Sequence, residues 1–347
     1  MALQLRPAWL GRLAEARRGL GGRAAGERLA RWVREVQGWL PAGLGPIARK
    51  EFMDLITSWR MGILAALLTV TGIASLYVTG MAIRSAAGVL EDEGYIFLKI
   101  FTASDGRLPP FTAFVGFLAP LLGLALGFDA ISGEQNRRTL SRLLAQPIHR
   151  DAVLVGKFVA GVGAVGAMLL ALGMAVGGLG LILIGVPPTG DELLRLLAFV
   201  LTTVLYVAFW LALAILLSVV FRHSATSALA GIGIWLFFAA FWDLLADLVV
   251  GTLIPDTGSL RHAQVRTWVG RLSPVTLYTE AVVTLLTPTV RVLGPILLEQ
   301  AIGALKGTLP IGQSLLLITP HLIGLLAGTV VCFAASYVLF MRREIRA

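Results

Sequence analysis

Six stretches of this chain stay apolar for the length that a bilayer demands. Residues 61–83 and 111–128 contain no charge, and 158–184 and 196–221 are long and uncharged. Residues 224–242 run to a first acid at Asp243, and 315–341 hold a single His. A hydrocarbon core about 30 Å thick needs roughly 20 apolar residues of helix to cross it. Backbone groups left unpaired there cost several kcal/mol each, so such runs fold as helices. The strict alternation that marks a membrane barrel is absent. The pattern predicts an all-α polytopic membrane protein with transmembrane helices over about 61–83, 111–131, 154–185, 194–221, 224–250 and 315–341.

Three segments outside these runs have a pattern of their own. In the lead-in, residues 1–45, Leu29, Trp32, Val33, Val36 and Leu40 recur at helical spacing among Arg28, Arg31 and Arg34, which is a basic amphipathic helix. After a Pro-rich break, residues 47–60 place Ala48, Phe52, Leu55, Ile56 and Trp59 in one arc. Lys50, Asp54, Thr57 and Ser58 fall opposite. This segment, with Arg49, Lys50 and Glu51 near its start, is expected to lie in the interface and turn into the first span. A plain depth anchor would carry the same pattern.

The second segment is the loop 129–157. Ser132 is suited to cap a helix, Leu140, Leu143 and Leu144 are one-sided, and Pro147 ends it. Arg138 and Arg142 flank the Leu triplet. A short cytoplasmic helix with an apolar face and no core to enter suits docking to another protein, whereas a simple hairpin would need far fewer residues. The third segment, 255–313, has two apolar pieces, 274–289 and 293–304, too short or too Pro-broken to span. They are expected to lie on the outer leaflet or dip into it.

Composition agrees: only 14% of the 347 residues are charged, against about 25% in soluble domains, so a water-facing globule could not be covered. The formal charge of +9 raises the question of nucleic acid. Twenty of the 29 Lys and Arg fall on the segments that share a side with the amino terminus, and most of the rest lie in two longer loops where the positive-inside rule has little force. Both termini are therefore expected in the cytoplasm, in the cell membrane, and the basic excess reads as orientation rather than DNA or RNA binding. Cys332, the one cysteine, excludes an internal disulfide. The Arg- and Gly-rich start has no apolar core of the kind a cleavable signal needs.

The chemistry to be excluded is equally informative. A P-loop would end in Gly-Lys-Ser/Thr, but Gly156-Lys157 is followed by Phe158 and Asp151 stands where the first Gly belongs. If ATP drives this protein, the ATPase is another chain. The four His residues are scattered and show no metal-ligand spacing, so no cofactor or metal is expected on this chain. An intramembrane serine protease would pair His321 with an exposed Ser flanked by Gly, and span four offers only Ser218 between Leu217 and Val219. Asp243 and Asp247, one turn apart, and His321 are candidate intramembrane polar groups. Asp243 lies near the outer interface, where an acid costs little, and His321 is expected to hydrogen-bond locally or to face the bundle interior. The glycines of span three are read as close helix packing.

These residues also resemble a known family. Ile47-Ala48-Arg49-Lys50-Glu51-Phe52 is similar to the entry helix of the type-2 ABC exporter permeases. Phe128-Asp129-Ala130-Ile131-Ser132-Gly133-Glu134, then Thr139-Leu140, Leu143-Leu144, Pro147 and Gly156-Lys157-Phe158, resembles their coupling segment. The nearest likeness is to the branch containing the permease for maturation of nitrous oxide reductase. The resemblance extends over roughly 46–250, and it departs at Arg138, where the family usually has Gly. It implies a permease subunit of an ATP-driven exporter, acting as a pair of copies with separate ATPase subunits that hold ATP and Mg²⁺. Glu134, Arg138, Thr139, Leu140, Arg142, Leu143, Leu144 and Pro147 would meet the ATPase. Arg49, Lys50, Glu51, Phe52, Leu55 and Trp59 would form the entry helix against membrane lipid. A membrane assembly or scaffold protein that transports nothing is the alternative of another class.

Single cysteines in a Cys332→Ser background test the orientation. Labels at Asn136 and Arg346 should react only from the cytoplasm, and one at Thr257 only from outside. Outside labelling at 136 would overturn the topology.

Overall fold

Six helices long and apolar enough to cross a membrane account for most of the chain. The computed structural model describes residues 43–85, 95–103, 108–137, 150–256, 258–288 and 309–342, among which there is no strand. The lead-in up to residue 42, the segment 138–149 and the outer piece 293–304 lie outside the described residues. Arg138, Thr139, Leu140, Arg142, Leu143, Leu144 and Pro147 fall there.

The chain enters through α1 (Leu44–Ile56) and turns at Thr57-Ser58 into the first span, α2 (Trp59–Ser85). A short helix α3 (Ile96–Thr102) precedes α4 (Phe111–Gly127), which runs through a turn into α5 (Ser132–Asn136) as one spanning segment. Then come α6 (Arg150–Ile184), α7 (Gly190–Val220) and α8 (Ser224–Leu253). Two shorter helices, α9 (Leu260–Gly270) and α10 (Pro274–Leu286), lead to the last span, α11 (Ile311–Arg342). The end of the bundle that carries α1 is here termed the entry end.

The middle of the bundle is α7. Its start is fixed by a capping box, in which Thr189 Oγ1 accepts from the Glu192 amide and the Glu192 carboxylate accepts from the Thr189 amide. About 67% of its apolar stretch is buried, against 11% for α8, so α7 is the post and α8 the most exposed span. It packs against α4, α6, α8, α10 and α11. In a bilayer, small residues let backbones approach where hydrophobic exclusion gives no drive. Gly123 and Gly127, one turn apart on α4, do this: a Cβ on Gly123 would stand 2.7 Å from the Val207 carbonyl, and one on Gly127 2.6 Å from Ala214 Cβ. Gly161 of α6 seats Leu211 from the other side.

At the far end the outer segments are drawn into the protein. Phe97, Leu98, Ile100 and Phe101 of α3 are all buried, with Ser75 donating to the Pro109 carbonyl and Thr79 to that of Ala103. Seven residues are too few to register as a span, so hydropathy gave no sign of this helix. The piece expected to lie on or dip into the outer leaflet at 274–289 is α10, buried against α7 and α11. Tyr278 explains its depth: the ring stacks on Tyr206 at 4.2 Å between centroids, and its hydroxyl shares a hydrogen bond with Thr203. A π-helical turn, Phe237–Phe241, interrupts α8 before it meets α9.

Gly123→Ala should therefore destabilise the detergent-solubilised protein by about 1–3 kcal/mol, the usual cost of overpacking. Gly178→Ala, which meets nothing within 4 Å, should be neutral or slightly stabilising. Thermal unfolding checks the pair, and equal midpoints would remove Gly123 from the packing argument.

Candidate functional site

Lys157 stands two turns into α6 and is 8% exposed. An ammonium so placed needs partners, because burial of an unpaired charge is expensive. It has two: Glu51 Oε2 of α1 at 3.1 Å and Glu134 Oε1 of α5 at 2.7 Å. Three stretches far apart in sequence thus close on one cation: the entry helix, the start of span three and the end of the span-two segment.

Packing explains how α1 reaches it. Leu44, Ile47, Ala48, Glu51, Phe52 and Leu55 recur at helical spacing and are at least partly buried, and α1 lies along α6. Gly156 makes room on α6, since a Cβ there would stand 2.8 Å from Ile47, and Phe52 packs over Gly163. The apolar arc read from the sequence is divided: Ala48, Phe52 and Leu55 turn toward the protein, while Ile56 and Trp59 stay exposed, Trp59 at 73%. Glu51 falls on the packed side because Lys157 is there to receive it. Arg49 is exposed, and Lys50 pairs at the surface with Asp54.

The span-two end is held as firmly. Ser218 Oγ of α7 accepts from the Ile131 and Ser132 amides, both at 3.0 Å, and Ser132 Oγ is 3.0 Å from Ser224 Oγ on α8. Ile131, Ser132 and Ser218 are buried. Next to them Arg60 donates to Asp129 at 2.8 Å, with its guanidinium 4.9 Å above the Phe128 ring. Glu51, Arg60, Asp129, Glu134 and Lys157 line a cleft of about 500 Å³, with Leu126, Leu211 and Ile215 on its wall. The chemistry is that of a joint. It offers salt bridges and hydrogen bonds between segments.

The other singled-out residues lie elsewhere. Asp243 and Asp247 both pair with Arg266 of α9, the former at 3.1 Å. His321 is buried on α11, its Nε2 2.7 Å from Glu280 Oε2, and Arg271 donates to the same oxygen at 2.8 Å. Burial raises the Glu280 carboxyl, but His321 and Arg271 outweigh it and hold the group below the usual carboxylate range. Ser218 and His321 are engaged at opposite ends of the bundle, so they form no catalytic pair. No group of three or more His, Cys, Asp or Glu that could hold a metal occurs among the described residues.

Glu51 and Glu134, singled out in two separate segments, meet through Lys157. The role of Lys157 itself, of the Arg60–Asp129 pair and of Ser218 was missed. So was Arg195, fully buried on α7, which pairs with Asp191 and donates to the Leu285 and Leu309 carbonyls and Ser314 Oγ. One signal was present for each charge: it sits within two turns of an apolar run, where an ion is not free to be idle.

Comparison with known proteins agrees with this architecture. The family model described as "ABC-2 family transporter protein" matches residues 46–345. A protein named probable ABC transporter permease protein NosY from Pseudomonas aeruginosa is 32% identical over 238 residues, covering 67% of this chain and 78% of its own length. A relative of the same name from Stutzerimonas stutzeri is 30% identical over 240 residues, with the same coverage.

Removing Lys157 leaves two facing carboxylates without their cation, and breaking a buried pair in this way costs about 3–5 kcal/mol. Lys157→Ala should therefore destabilise the protein far more than Glu51→Gln, which leaves the Glu134 contact standing. Equilibrium unfolding in detergent separates them, and equal effects would show that the ammonium does not bridge.

Proposed function

This chain belongs to the ABC-2 family of transporter proteins and is a membrane-spanning subunit of an ABC transporter, and we propose that it works as one of two paired copies driven by separate ATPase subunits. The family membership and the lack of a P-loop motif in the sequence support the division of labour. The observation that carries the mechanism is the shared Lys157. The segment that resembles the family's coupling segment includes Glu134, so a push on it from an ATPase acts on the Lys157 joint directly. Through Lys157 the push is passed to span three and to Glu51 of the entry helix, and through Ser218 to the central span. Rigid connections at the entry end then convert closure of the ATPase pair into movement of the spans. Direction is outward from the cytoplasm, with ATP and Mg²⁺ bound by the partner.

The docking element in this reading is the Leu140, Leu143 and Leu144 face, with Arg138 and Arg142 at its rim. A buried Leu contributes roughly 1.5–3 kcal/mol. Leu143→Asp should weaken co-purification with the ATPase subunit at least tenfold while membrane insertion is unchanged. The isolated chain should show no ATP turnover, whereas the complex should. Turnover by the pure chain would sink the two-subunit reading, and normal assembly of Leu143→Asp would reduce the segment to a linker.

A further inference from the structure

A second cavity, of about 580 Å³, opens between α6 and α7 toward the far end of the bundle and takes no part in the joint at the entry end. It falls in the volume range of small-molecule sites, roughly 300–1,000 Å³. Its lining carries no charged residue, and Thr203, whose hydroxyl is already bonded to Phe199 and Tyr278, is the sole hydroxyl among the lining residues. A site of that kind offers water almost nothing to bond to.

The floor is open because Gly177 and Gly178 of α6 meet nothing within 4 Å. The inner wall is a row of rings from three helices: Phe97 and Phe101, Phe101 and Phe111, and Phe111 and Phe199 contact at 5.7, 5.7 and 6.3 Å between centroids. Along α6 the lining runs from Leu169 to Leu181, which is about 18 Å of helix at 1.5 Å per residue. The mouth is continuous with the lipid-facing surface of two spans. Met174 at its edge is 75% exposed and Leu197 47%, so both face the hydrocarbon. A groove of this length and polarity, open on the side of two apolar spans, suits a long, slender, apolar occupant.

We propose that the groove between α6 and α7 is a retained-lipid site, holding one acyl chain of a membrane phospholipid against the glycine floor and the phenylalanine wall. Because no charged residue lines it, the site selects by chain and not by headgroup. A chain seated there wedges α6 apart from α7 at the level of α3.

Native mass spectrometry of the full chain tests this, after reconstitution in vesicles of palmitoyl-oleoyl phosphatidylglycerol and re-extraction in mild detergent. The wild type should keep one phospholipid per chain. Gly177→Leu, whose Cβ would meet nothing within 4 Å and whose branches would occupy the floor, should keep less than a tenth as much. That variant also replaces a poor helix former, so loss of lipid is not explained by loss of fold. Gly62→Leu, an equally open glycine on α2, should retain lipid as the wild type does. Palmitoyl-oleoyl phosphatidylcholine should be kept equally well, and dioctanoyl phosphatidylglycerol should not. Retention by Gly177→Leu, absence of retained lipid on the wild type, or dependence on headgroup rather than chain would each overturn the proposal.

Discussion

Inside a bilayer a charged or polar group has no water to fall back on, and that constraint organises this protein. Its spans are long and almost free of charge, and among the described residues the buried ions Lys157, Glu192 and Arg195 are each met by other groups of the chain. Lys157 collects carboxylates from α1 and α5, and Arg195 collects Asp191, two carbonyls and Ser314. In water such pairs would be worth little, since surface ion pairs contribute about 0–1 kcal/mol. At low dielectric they act differently: removing one partner is costly, so the segments they join move together or not at all.

The two ends of the bundle use this constraint for different purposes. At the far end Arg195 ties α7 to the end of α10 and the start of α11, while His321 and Arg271 share Glu280. Those contacts keep the outer helices tucked among the spans, where their apolar faces are covered by protein. At the entry end Lys157 and Ser218 instead join elements that lead straight into the segment after Asn136. A tie at the far end shapes the bundle, but a tie at the entry end is placed where force from a partner would arrive.

Much of the fold was legible along the chain because spanning a bilayer is a local property. Run length alone located the six long helices, and an amphipathic wheel located α1. What hydropathy cannot show is which face meets what. Ala48, Phe52 and Leu55 read as one arc with Ile56 and Trp59, and only packing against α6, where Gly156 admits Ile47, shows that the first three turn inward. The glycines of span three were legible as packing residues, and Gly161 against Leu211 fits that reading. Gly123 and Gly127 matter as much, but nothing in α4 alone distinguishes them from spacers. The short buried helix α3 was out of reach because tertiary contacts cover it and its own length carries little signal, whereas α10 was legible as an apolar piece at 274–289 but its burial against α7 and α11 was not.

The same distinction bears on the joint at the entry end. Glu51 and Glu134 were singled out from a family pattern, each in a separate motif, and neither motif states that they touch. Their meeting depends on one lysine whose ammonium is within reach of both, on Gly156 letting α1 approach α6, and on Ser218 fixing the turn before Glu134. Each of these is unremarkable alone: a lysine after a glycine, a glycine in a Gly-rich span, a serine in an apolar run. Together they make a contact that is stiff because the alternatives are worse. Pulling Glu134 away would leave Lys157 with one carboxylate in a poorly solvated cleft, and pulling Ser218 away would leave two buried amides unpaired. The cost of leaving such groups unpaired, more than the strength of any single bond, is what joins the end of span two to the entry helix.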